Sequence, residues 1–134
     1  MKFIVLIYND ETLLGDLPTG EADEMMRHCL TQADELRAAG HLLDSQMLEG
    51  SEKAKSIRVR NGRAMTMDGP FAEAKEVLGG FNIIEAEDMD EAVRIASVFP
   101  WARTGCVEVR PVRDITGVRR RVFAAGATHV ESGE

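Results

Sequence analysis

The chain lacks long apolar runs, has only two cysteines, and carries fewer bases than acids. A membrane-spanning helix needs roughly 20 consecutive apolar residues. The first apolar run here, Phe3 to Tyr8, is only six residues long. It follows a single Lys2 and leads into Asn9-Asp10-Glu11 with no small-residue cleavage site, so it predicts a buried strand and not a signal peptide. Cys29 and Cys106 lie far apart, and without an export signal they are expected to be reduced thiols in a cytoplasmic protein. The 16 bases against 23 acids give a net charge of −7. Such a surface repels phosphate backbones, so neither nucleic acid nor membrane is expected as a partner. The three histidines and two cysteines show no metal-ligand spacing. No serine lies in a nucleophile elbow and no glycine-rich loop has a phosphate-binding context, so neither a metal nor a cofactor is expected.

What is present is ordinary globular material. At 134 residues, 44% hydrophobic and 29% charged, the chain is the size and composition of one domain with one core. Lys2 to Tyr8 predicts a central strand, and Asn9 to Pro18 a loop. Thr19 can cap a helix whose first turn is acidic. Ala22, Met25, Met26, Cys29, Leu30, Ala33 and Leu36 then repeat at helical spacing until Gly40. Met25, Met26, Met65 and Met67 could fill core or line an adaptable pocket.

His41 to Leu48 predicts a second strand and Glu49 to Lys55 a loop. Ser56 to Arg60 and Arg63 to Met67 flank Asn61-Gly62, a strong hairpin signal. Ala72 to Leu78 is expected to make a short helix ended by Gly79-Gly80. Phe81 to Glu87 then forms a strand, and a helix capped by Asp88 and Glu91 runs to Phe99. Val107 to Val112 forms the last strand. Residues 116 to 134, with the basic cluster Arg119 to Arg121, are expected to be an extended or mobile tail beyond a domain at residues 1 to 115.

This order predicts an α+β fold: a ferredoxin-like split β-α-β with a mostly antiparallel sheet and both helices on one face. The first strand is apolar on both sides, with Phe3, Val5 and Ile7 against Ile4, Leu6 and Tyr8. The face without helices needs a cover, and a second subunit would supply it, so a homodimer is expected.

The segment from Asp68 to Phe81, Asp-Gly-Pro-Phe-Ala-Glu-Ala-Lys-Glu-Val-Leu-Gly-Gly-Phe, resembles the signature of the DGPF-domain family, a branch of the YCII-related (YciI-like) proteins. Met1 to Asp10, Glu35 to Gly40 and Val107 to Val112 are similar to its opening strand, first-helix end and final strand. The resemblance implies a ferredoxin-like chain paired as a dimeric α+β barrel, with a cleft between sheet and helices and no settled activity. It also implies, for some relatives, an association with sigma factors of the extracytoplasmic class. In the wider YCII-related group a first-helix histidine has been proposed to pair with an aspartate. Here the matching position falls on Cys29, one residue past His28.

The candidate chemistry centres on Asp68-Gly69-Pro70. Proline holds the preceding residue extended and glycine takes angles other residues cannot. The Asp68 carboxylate either locks this turn or points into a cleft as a general acid or base. Glu73 and Glu76, three residues apart, could share a helical face as paired carboxylates or simply be solvated, with Lys75 as an ion-pair partner. The expected catalytic residues are therefore Asp68 and Glu76. The expected ligand-binding residues are Tyr8, His28, Gly69, Pro70, Phe71 and Glu73. Two functions compete. One is a small-molecule enzyme or binder using the cleft beside the turn. The other is a non-catalytic interaction or regulatory module, linked to sigma-factor-dependent transcription and working through its surface and the Arg119 to Arg121 segment.

Overall fold

The computed structural model describes residues 1–126. Strand β1 (Lys2–Asp10) is followed by a short helix α1 (Glu11–Gly15) and a long helix α2 (Glu21–Ala38). Then come β2 (Leu42–Met47), the hairpin strands β3 (Lys55–Arg60) and β4 (Arg63–Asp68), and β5 (Glu76–Glu85). Helix α3 (Met89–Ser97), β6 (Gly105–Pro111) and helix α4 (Thr116–Gly126) complete the order. Single 3-10 turns sit at Ser51–Lys53 and Pro100–Arg103.

Four strands form one antiparallel sheet in the order β2-β5-β1-β6, which is the split β-α-β arrangement the sequence predicts. The buried face of β1 is Phe3, Val5 and Ile7. They join Ile84 of β5, Met25 and Ala33 of α2, Ala92, Ile95 and Ala96 of α3, and Phe99 and Trp101 beyond it. Ile4 and Leu6 face the other way. They pair with Ile83 and Phe81 and lie outside this core.

The chain departs from the sequence expectations at five places. First, Asn9 to Pro18 is not all loop, because the buried Asp10 side chain accepts the amides of Thr12 and Leu13 at 3.0 and 3.1 Å and starts α1. Second, Gly20, and not Thr19, occupies the start of α2. Third, Leu30 points outward although it fits the α2 stripe.

Fourth, Ala72 to Leu78 makes no helix. From Glu76 onward the chain is strand, and Gly79-Gly80 lies inside it. Pairing with β1 on one edge and β2 on the other satisfies this backbone more fully than two isolated helical turns could. The glycines leave room for neighbours: a Cβ at Gly80 would meet the Gln46 carbonyl oxygen at 2.8 Å. Fifth, residues 116–126 are helical and not extended, begun by Asp114 accepting the Thr116 amide at 2.9 Å. His129 lies outside the described residues.

Candidate functional site

The β3–β4 hairpin is a separate two-stranded sheet. Its Asn61-Gly62 turn has φ of 53° and 76°, as the dipeptide demands, and it sets Arg60 opposite Arg63. The signature turn is stapled to the root of this hairpin. Gly69, with φ of 88°, donates its amide to the Ala54 carbonyl at 2.7 Å and accepts the Ser56 hydroxyl at 2.8 Å. Arg58 donates to the Phe71 carbonyl at 3.1 Å. The Lys55 ammonium meets the Asp68 carboxylate at 2.5 Å. A residue with a side chain would be strained at the φ of Gly69, so the Gly in Asp-Gly-Pro-Phe is a backbone requirement.

Behind this stapled turn lies a cavity of about 630 Å³. Its walls are the turn and following segment (Pro70, Phe71, Ala74), the start of β5 (Glu76, Leu78) and Tyr8 of β1. The β2–β3 connection closes another side with Leu48, Glu49, Lys53 and Ser56. The volume is that of a small-molecule site, mostly apolar with a few polar groups.

The structure brings Tyr8, Pro70, Phe71 and Glu76 together on this wall. It places the other candidates elsewhere. Asp68 is not a wall residue. Its side chain is 86% exposed and held by Lys55. Glu73 is exposed in the irregular segment before β5, so it shares no helical face with Glu76. His28 lies on α2 with its Nε2 3.1 Å from the Val98 carbonyl, joining two helices on the far layer. Gly69 shapes the turn without touching the cavity.

Tyr8 is the wall's distinctive polar group. Burial, and then the neighbouring Glu108 carboxylate, raise its phenol above the ordinary range, so it stays protonated and donates. Sequence reasoning missed Asp10. Its side chain is only 4% exposed and its second oxygen lies 3.6 Å from the Lys75 ammonium. Lys75 therefore ties the signature segment to the end of β1 and does not pair with its neighbouring glutamates. The signal was an Asp closing a buried strand, three residues before an apolar pair, Leu13-Leu14. Glu49 and Lys53, in a stretch the sequence marks only as loop, pair at 2.9 Å. Among the described residues no group of three His, Cys, Asp or Glu converges as metal ligands, and no helix is long and apolar enough to cross a membrane.

Cys29, at the position of the group's proposed histidine, packs against the core and accepts the Trp101 indole N–H at 3.2 Å. Burial pushes its thiol up, against a smaller downward pull from Trp101. A group held neutral by folding loses stabilisation as pH rises past its unfolded value, about 8.5 for a thiol, and costs nothing below that. We expect iodoacetamide at about pH 8 to label the exposed Cys106 first and the half-buried Cys29 several-fold more slowly in the native chain than after unfolding. Equal labelling of both in the native chain would contradict this; mass mapping of the labelled peptides reads it.

A four-stranded antiparallel sheet with helices on one face, and a small-molecule-sized cavity under an Asp-Gly-Pro-Phe turn, defines a ferredoxin-like α+β protein. The chain belongs to the YCII-related family, whose domain matches residues 1–116. It is also 36% identical over 114 residues to an uncharacterised protein of Rhizobium meliloti (strain 1021), covering 84% of this chain and 92% of that one.

Proposed function

We propose that this chain, a member of the DGPF branch, binds a small, largely apolar molecule in the cavity behind the signature turn. Glu76 and the protonated Tyr8 meet its polar end. We further propose that the protein is a cytoplasmic homodimer. One observation carries the site: β1, β5, the hairpin root and the signature segment all converge on one cavity with an acid and a phenol in its wall. In this reading Glu76 takes or holds a proton and Tyr8 donates a hydrogen bond, the pairing acid–base chemistry requires. Asp68, facing Lys55, braces the turn that forms the wall.

The test begins with a thermal-shift screen of small carboxylic acids and aromatics, followed by two variants against each hit. Glu76→Gln is expected to melt within a few degrees of wild type and to lose binding by about tenfold or more, since an exposed carboxylate at a strand start contributes little to stability. Asp68→Asn keeps the geometry of the turn and should retain binding within about threefold. Full binding by Glu76→Gln, measured by titration calorimetry, would overturn the assignment.

The interaction-module reading is favoured by α4. It exposes Val118, Val122 and Phe123 beside Arg119, Arg120 and Arg121. Removing residues 116–134 separates the two: ligand binding that survives this deletion supports the cavity reading.

A further inference from the structure

The cavity behind the signature turn has a charge pattern that its apolar lining does not explain. Three of its wall residues carry a charge: Glu49, Lys53 and Glu76. Glu49 and Lys53 answer each other at 2.9 Å. The other bases near the turn are also taken. Lys55 meets Asp68, Lys75 meets the buried Asp10, and Arg58 donates to the Phe71 carbonyl. Of the charged wall residues, Glu76 is the one whose carboxylate has no hydrogen-bond or ion-pair partner among the described residues. Two aromatic rings share the wall with it, Tyr8 and Phe71. Phe71 is 73% exposed, so a whole ring stands uncovered on the same wall as an unanswered acid.

We propose that the molecule this cavity takes is an organic cation, a protonated amine on a small apolar body. This rests on the cavity reading above and names the chemical class of its ligand. The ammonium pairs with Glu76, and the proton that Glu76 holds is an N–H of the ligand. The rings of Phe71 and Tyr8 attract the same charge, because an aromatic face is the negative pole of its quadrupole. Leu48, Pro70 and Leu78 receive the apolar body. An anion fares worse in this site. It finds no free base on the wall, it has to part Lys53 from Glu49, and it meets the uncompensated charge of Glu76. The net charge of −7 adds a long-range field that draws cations to the protein and repels anions.

The test is titration calorimetry on the full chain at about pH 7, where carboxylates and alkylamines are both charged. The probes are phenethylamine, phenethyl alcohol and hydrocinnamate, and the matching set of hexylamine, hexanol and hexanoate. Each set keeps one apolar body and changes only the charge at its end. Wild type should bind each amine about tenfold more tightly than its alcohol, and each acid more weakly than its alcohol. Glu76→Gln should bring amine and alcohol to within about threefold of each other. Phe71→Leu keeps apolar bulk and removes the ring, so it should weaken the amines about threefold and leave the alcohols unchanged. Both positions are exposed, and unchanged circular dichroism and melting temperature would show that the variants remain folded. Alcohols that bind as tightly as the amines, or acids that bind more tightly, would overturn the cation and leave the cavity reading standing. An amine preference that survives Glu76→Gln would overturn it as well. If no member of either set binds at millimolar concentration, the cavity reading and the cation fall together.

Discussion

Gly105→Ala is expected to cost about 3 kcal/mol or more, lowering the melting temperature by about 10 °C. Gly105 opens β6 opposite Asn9. A Cβ there would stand 1.9 Å from the Tyr8 carbonyl oxygen and 2.9 Å from its carbon. Those are backbone atoms of the central strand, so no side chain can swing aside to relieve the clash. Either β6 peels away at this end or β1 shifts, and Thr104, which accepts the Asp10 amide at 2.9 Å, shifts with it. Tyr8 forms part of the cavity wall, so the folded fraction should also bind hits from the screen more weakly. Thermal denaturation by circular dichroism checks the first effect. A melting temperature within about two degrees of wild type would mean that the sheet is looser here than described.

Phe3→Ala should cost about 3–5 kcal/mol, because Phe3 is among the largest fully buried side chains and its neighbours are drawn from the sheet and the helix layer. The adjacent Ile4→Ala should cost the isolated chain clearly less, since Ile4 is only half-buried and lies on the opposite face. In the proposed homodimer, its larger effect should fall on dissociation. Urea unfolding followed by Trp101 fluorescence, at two protein concentrations, separates these contributions. Equal, concentration-independent losses for the two variants would show that both faces of β1 are packed within one chain.

Much of the site was legible because some residues impose backbone geometry locally. Asn61-Gly62 made the hairpin certain to turn where it does, and Gly69-Pro70 fixed an abrupt change of direction after β4. Asp88, accepting the Glu91 amide at 2.9 Å, starts α3 from its own side chain. Cys29 fell on the apolar stripe by helical spacing and is packed there. Other features had no local cause. Glu73-Ala74-Lys75-Glu76 reads as helix by propensity, yet the chain becomes strand at Glu76 because β1 and β2 lie on either side. Asp68 carried the sharpest motif, but its carboxylate faces Lys55, thirteen residues earlier, across the hairpin register.

By itself the sequence determined the class of fold, the positions of most strands and helices, the hairpin and the signature turn. Each follows from periodicity or from residues whose own φ is restricted, and these act over a few neighbours. The tertiary structure alone decided which face of β1 is core, since Phe3 to Tyr8 is apolar on both sides and parity becomes meaningful only once α2 and α3 settle on one face. It also decided that Glu76 and Tyr8 share a cavity wall while Asp68 and His28 do not. Residues 68 positions apart meet only through strand pairing, and the β1–β5 register that joins them depends on the whole sheet.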